Sequence, residues 1–254
     1  MYLADEAWTD LGSHFEEHSL ALVPVGSTEQ HGPHLPEGTD HYIAEAFARE
    51  AAERTGYLCT PTVNVGVSPH HRQFHGTMWV DAPVFREYMS SLTRNLAYHG
   101  IDRIIYVNAH GGNVEHLREV GRELRDDGVI YAIEWMWNES IRELVNDLFE
   151  TNGPHGGPKE TALIQHLHPD LVHDNRLEDA RDGGLLNWEE NRVHGSRTFY
   201  DSIDKTENGV LGDQTDATAE TGAQMFKKAT EQLVQLCEWL ATQEFKDLMP
   251  KDHV

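Results

Sequence analysis

Short apolar runs rich in β-forming residues alternate with amphipathic stretches along most of the chain, and this alternation constrains the fold more than any other feature. Strands are predicted over 21–26 (ALVPVG), 57–66 (YLCTPTVNVG), 103–109 (RIIYVNA) and 129–137 (VIYAIEWMW). Between and after them the pattern predicts helices near 40–55 ending at Gly56, 83–99 ending at Gly100, 113–128, 139–150, 159–167 and 216–242. Continuous apolar strands separated by helices suit a parallel sheet covered on both faces by crossover helices, an α/β fold. With 39% hydrophobic residues in 254, the expectation is one domain spanning 1–254. A polar excursion from about 174 to 208 is longer than a compact-domain loop and reads as a lid or subunit contact.

Composition narrows the function. The chain carries 43 acids and 20 bases, a formal charge of −23, and only six of the bases are lysine. Such a field repels nucleic acid and anionic lipid and suits a salt-rich setting, so neither is an expected partner and a halophilic origin is expected. The N-terminus, MYLADEAWTDLG, lacks the basic and apolar regions of a signal peptide, and no apolar run reaches the roughly 18 residues of a membrane span. A cytoplasmic location is therefore expected. Cys59 and Cys237 lie far apart without CxxC spacing, so any metal must use nitrogen and oxygen ligands.

The chemistry-bearing residues cluster where strands should end, the place where open α/β sheets bind ligands. GSTEQHGPHLPEGTDHYIAEA, 26–46, holds Glu29, His31, His34, Glu37, Asp40 and His41. An extended segment would turn Glu29 and His31 the same way. Asp40, at a helix start, either caps that helix or leaves an oxygen for a cation. His110 follows the 103–109 strand; Gly111 and Gly112 would let backbone approach a ligand, and Asn113 would start the next helix. A phosphate-binding loop is the competing reading of HGGN, but the glycine spacing and lysine of a P-loop are missing. GPHGGPKETALIQHL adds His155 and Glu160, the latter otherwise a helix-dipole partner. Taken together, these residues read as a mixed oxygen and nitrogen site for zinc, manganese or ferrous iron. Asp40 is the carboxylate able to bridge two ions, and water held there would lose a proton near neutral pH and attack a polarised carbonyl.

PVGSTEQHGPHLPEGTD, GVSPHHRQFHGT, NAHGGN, HGGPKETAL and GVLGDQTDATAETG together resemble the creatininase family of metal-dependent amidohydrolases. The resemblance implies a three-layer α/β/α sandwich on a mainly parallel sheet, often assembled as a hexamer, and a small-molecule amide substrate. It implies that Glu29, His31, Asp40 and His110 hold divalent metal ions, two per subunit, with Asp40 bridging. His155 matches the histidine that handles substrate protons, and Ser68 lies where relatives contact substrate. His71, Gly111 and Gly112 join Ser68 as expected substrate contacts. Creatinine amidohydrolases carry Tyr and Glu at the positions of Gly111 and Gly112, that Glu binding the second metal, and an active-site Trp at the position of Thr151. Glu160 is the expected replacement carboxylate, in a metal-binding and catalytic role. The Gly-Gly form is more similar to archaeal deformylases of a formylaminopyrimidine ribonucleotide; His71, Arg72 and Arg197 are candidate contacts for a substrate phosphate, with surface ion pairing the leading reading for each arginine. A non-catalytic metal-binding or scaffold protein is the remaining alternative.

Overall fold

The computed structural model describes residues 1–150, 153–181 and 192–251. A helix not predicted from the sequence, α1 (Trp8–Glu17), precedes strand β1 (Leu20–Val25); then come α2 (Thr39–Thr55), β2 (Leu58–Cys59), α3 (Ala82–Tyr98), β3 (Arg103–Asn108), α4 (Val114–Asp126) and β4 (Tyr131–Met136). Short helices α5 (Trp137–Ser140) and α6 (Arg142–Leu148) lead to α7 (Pro158–Leu167) and α8 (Leu177–Arg181). A small antiparallel pair, β5 (Arg192–Val193) and β6 (Ser196–Arg197), precedes the long α9 (Ala219–Thr242) and the short α10 (Phe245–Leu248).

The main sheet is parallel in the order β2-β1-β3-β4. Every residue of β1 and β3 is buried, as strands covered on both faces must be. Their side chains alternate between two cores. Leu20, Leu22, Ile105 and Val107 face α2, α7 and α9 through Ile43, Phe47, Leu163, Met225 and Leu233. Ala21, Val23, Ile104 and Tyr106 face α3 and α4 through Phe85, Met89, Leu117 and Val120. This is the expected three-layer sandwich. Phe47 is fully buried and stacks on Phe226 with ring centres 5.0 Å apart; removing such a ring from a core costs about 3–5 kcal/mol.

Two predicted elements are shorter than the pattern suggested. The 57–66 strand pairs as a strand only over Leu58–Cys59, because Pro61 has no N–H to give to a ladder; beyond it only an isolated Val25–Val63 bridge continues. The 139–150 helix is split at Ile141, whose φ of −126° and ψ of 26° lie outside the helical basin.

From β1 the chain steps to β2 on one side, then returns to place β3 on the other side of β1. The crevice between the carboxyl ends of β1 and β3 is thus a topological switch point, the usual ligand position in such sheets.

Candidate metal centre

The loop leaving β1 turns back at once, held by Glu29 N–H donating to the Glu37 carbonyl at 2.9 Å. Glu29 and His31 therefore stand over the end of the sheet, facing the first turn of α2. Asp40 lies in that turn without capping it, since Gly38 is the N-cap and makes no side-chain cap. Its carboxylate instead reaches two histidines: Oδ1 is 3.1 Å from His31 Nε2, and Oδ2 is 3.1 Å from His110 Nδ1, at the exit of β3. His110 Nδ1 also lies 3.2 Å from Glu29 Oε1. All four residues are at least 96% buried, with exposures of 1% for Glu29, 0% for His31, 2% for Asp40 and 4% for His110.

The ring protons decide what this cluster can hold. His31 Nδ1 faces the Glu29 carbonyl at 3.0 Å and His110 Nε2 faces the Val67 carbonyl at 3.1 Å. A carbonyl oxygen only accepts, so each ring's N–H points there. The other nitrogen of each neutral ring then turns a lone pair toward carboxylate oxygens that also only accept. Acceptors aimed at acceptors require a positive charge between them, either a second ring proton or a cation. Glu29 Oε2 and Asp40 Oδ2 are buried without a hydrogen-bond donor, which fits a divalent ion with oxygen and nitrogen ligands.

The electrostatics agree. Burial alone would push His31 down, but Asp40 outweighs it and raises the imidazole to about 10. His110 is likewise raised against its burial by Glu29 and Asp40. Burial would raise Asp40, yet His31 and His110 hold it well below the usual carboxylate range; Glu29 is lowered against its burial chiefly by His110. The two carboxylates demand cationic partners in so buried a site.

A second group completes the cluster. One ligand atom each from His31, His155 and Glu160 lies within 4.8 Å of the others, and the same holds for Glu29, His31 and Asp40, and for Glu29, His71 and His155. Glu160 stands in the first turn of α7, with Oε2 accepting the Gly156 N–H at 2.6 Å. Burial pushes its carboxyl up and pushes His155 down to about 3. His155 Nε2 donates to the Gln30 carbonyl at 2.5 Å, leaving Nδ1 toward the cluster, 3.7 Å from Glu29 Oε1.

The expected substrate contacts are placed differently. Ser68 Oγ is buried and already bonded, 3.0 Å from Ser27 Oγ and donating to the Met78 carbonyl at 3.2 Å. At Gly112 the close approach is to the protein itself: a Cβ would stand 2.2 Å from the Val67 carbonyl and 2.4 Å from His110 Nε2, so no side chain fits. Gly111 is exposed with open space at its Cβ. Asn113 is the N-cap residue of α4, where the helix was expected to start, but its side-chain amide turns elsewhere: it accepts from Val67 N–H and donates to the Gly26 carbonyl, tying the β3 exit to the β1 exit. Arg72 is paired with Asp201, Nη1 to Oδ1 at 2.9 Å, the surface ion pair rather than a free phosphate contact. The Arg197 side chain and Thr151 lie outside the described residues, as do positions 182–191 of the polar excursion. Its later part folds toward the site, bringing Ser202 Oγ to 3.3 Å from His71 Nε2.

Gln30 was missed, and His34 was named in the 26–46 cluster without a role. Gln30 sits between the ligand-type residues Glu29 and His31 in an ordinary polar position; only its 4% exposure and its hydrogen bonds single it out. His34, bonded through Nε2 to Thr161 Oγ1 at 2.9 Å, ties the β1 loop to α7.

The family model described as creatinine amidohydrolase matches residues 4–237. A mycofactocin precursor peptide peptidase of Mycobacterium ulcerans is 34% identical over 228 residues, covering 86% of this chain and 84% of that protein. A creatinine amidohydrolase of Pseudomonas putida is 31% identical over 63% of this chain and 68% of its own. A 2-amino-5-formylamino-6-ribosylaminopyrimidin-4(3H)-one 5'-monophosphate deformylase of Methanobrevibacter smithii is 26% identical over 85% of this chain and 89% of its own. The solved structure described as creatininase Mn superposes with a TM-score of 0.81 at 23% identity, over 95% of this chain and 99% of that one.

Proposed function

The chain belongs to the creatininase family of metal-dependent amidohydrolases, and from that membership we propose that it hydrolyses a non-peptide amide C–N bond of a small molecule, a formamide or a creatinine-like cyclic amide. The observation that carries the reading is the pair of imidazole lone pairs, on His31 and His110, turned toward the buried carboxylates of Glu29 and Asp40. Glu29, His31, Asp40, His110 and Glu160 would together hold two divalent ions, with Asp40 shared between them. Zinc, manganese and ferrous iron all suit this donor set. When bound, such ions polarise a carbonyl and make water nucleophilic near neutral pH.

The remaining steps fall to the chain's own groups. His155 Nδ1, bare because Nε2 donates to Gln30, takes a proton from the attacking water. Oxygen adds to the amide carbon, the C–N bond breaks, and the same nitrogen of His155 returns the proton to the departing amine. Burial excludes bulk water from Glu29, Asp40 and His110 and keeps their field strong.

Within this class we favour a formylated amine, the bond cleaved by the deformylase relative, because Gly112 leaves no room for the Glu that serves creatinine amidohydrolases. The name of the Mycobacterium ulcerans relative favours a second reading, cleavage of a short peptide. We further propose a cytoplasmic homo-oligomer, with hexamer the expected state; no described helix is long and apolar enough to cross a membrane. The test is turnover by metal-loaded protein of creatinine, simple formamides, a formylaminopyrimidine ribonucleotide and short peptides, each with and without chelator. Chelator-sensitive release of formate supports the reading; cleavage of peptides alone replaces it with the second; no turnover of any amide by fully loaded protein leaves a metal-binding or scaffold role.

A further inference from the structure

Gln30 touches both histidines that face Glu29 from outside the metal-ligand set. Its backbone carbonyl accepts from His155 Nε2 at 2.5 Å. Its side-chain nitrogen lies 2.8 Å from His71 Nδ1 and 3.0 Å from the Gly209 carbonyl. The amide cannot be turned around, because Oε1 accepts the Gly32 N–H at 2.8 Å. The room for it comes from Gly209, where a Cβ would stand 1.8 Å from Oε1. The two amide hydrogens thus have two acceptors, the Gly209 carbonyl and His71 Nδ1. The side-chain nitrogen also lies 3.0 Å from His155 Nε2, but that nitrogen already carries a proton for the Gln30 carbonyl and accepts nothing.

We infer that Gln30 is a positioning residue that fixes His71 and His155 both as Nε2–H tautomers while turning opposite ends of the two rings to Glu29. His155 presents its bare Nδ1, 3.7 Å from Glu29 Oε1; His71 presents its Nε2–H, 3.4 Å from the same oxygen and 3.3 Å from Ser202 Oγ. Their rings lie 4.2 Å apart, centre to centre. One buried amide therefore places a proton acceptor and a proton donor side by side over the carboxylate. A substrate amide bound against this pair, on the side of the carboxylate, meets a base for the water and a donor for its own oxygen or departing nitrogen. This functional half rests on the hydrolase reading above; the tautomer half does not.

The experiment is nitrogen NMR of histidine-labelled, zinc-loaded protein, with steady-state kinetics on whichever amide is turned over. In the wild type, His71 and His155 should each show a protonated Nε2 and an unprotonated Nδ1. In Gln30→Glu the carboxylate only accepts, so His71 should move its proton to Nδ1 while His155, bonded to the backbone, keeps Nε2–H. Gln30→Met removes donor and acceptor at similar volume and serves if the Glu variant does not fold; there His71 should show mixed tautomers. With zinc content unchanged, kcat should fall about 10- to 100-fold, the usual scale for a supporting residue, with KM within about threefold. A wild-type His71 protonated on Nδ1, or a tautomer unmoved in the folded variants, overturns the inference. A moved tautomer with unchanged kcat overturns its functional half. If wild-type protein hydrolyses no amide, the proposed function fails while the spectra still decide the tautomers.

Discussion

Asp40 and His110 stand 3.1 Å apart, Oδ2 to Nδ1, with no hydrogen bond between them. The ring proton lies on the far side, given to the Val67 carbonyl by Nε2. Two buried acceptors at this distance repel each other unless a positive charge intervenes.

Replacing the shared carboxylate is the most direct check. Asp40→Ala should bind at most one divalent ion per chain by elemental analysis, and activity should fall by at least about a hundredfold, beyond the loss expected of an outer-shell partner. Two tightly held ions in that variant would remove the bridging assignment.

His155 and Glu160 should fail differently. His155→Ala should keep its metal and lose about 10² to 10⁴ in rate, the scale for a general acid or base. Glu160→Gln should lose one ion and recover activity when metal is added in excess. Should Glu160→Gln hold both ions from the outset, Glu160 is a helix-start residue bonded to Gly156 and a single-ion mechanism is preferable.

Acid should destabilise the fold through His34, whose imidazole is held at about 4 by burial first and by His31 and His173 next. Below pH 6.5 the unfolded chain takes up a proton that the folded chain refuses until about pH 4, so the unfolded state binds more protons and stability falls as pH falls through that window. The full effect is up to roughly 3 kcal/mol. Denaturant midpoints for wild type and His34→Gln between pH 7 and 4 measure it; equal slopes would exclude His34 as the source.

Salt should act in the opposite sense to a neutral protein's indifference. With a charge of −23 spread along the chain, screening of like-charge repulsion should raise the melting temperature from low to molar KCl. A flat or falling series would end the halophilic expectation and leave the hydrolytic one standing.

The sequence by itself determined the order of the four main-sheet strands and of α2, α3, α4, α7 and α9, because burial on both faces of a parallel sheet demands unbroken apolar runs such as those at 20–25 and 103–108. It also exposed Glu29, His31, Asp40 and His110, since ligand-type residues after strands fall at one edge of the sheet. Local pattern misjudged what depends on distant partners: the stretch after Pro61 and the break at Ile141. Only the tertiary structure decided how α7 delivers Glu160 and how its preceding loop delivers His155, and that Gly112 is closed to any side chain by Val67. It alone revealed Gln30, because a hydrogen bond's direction is set by which acceptors converge on it in space. The Gly209 carbonyl and His71 Nδ1 converge on its side-chain nitrogen from segments 179 and 41 residues distant.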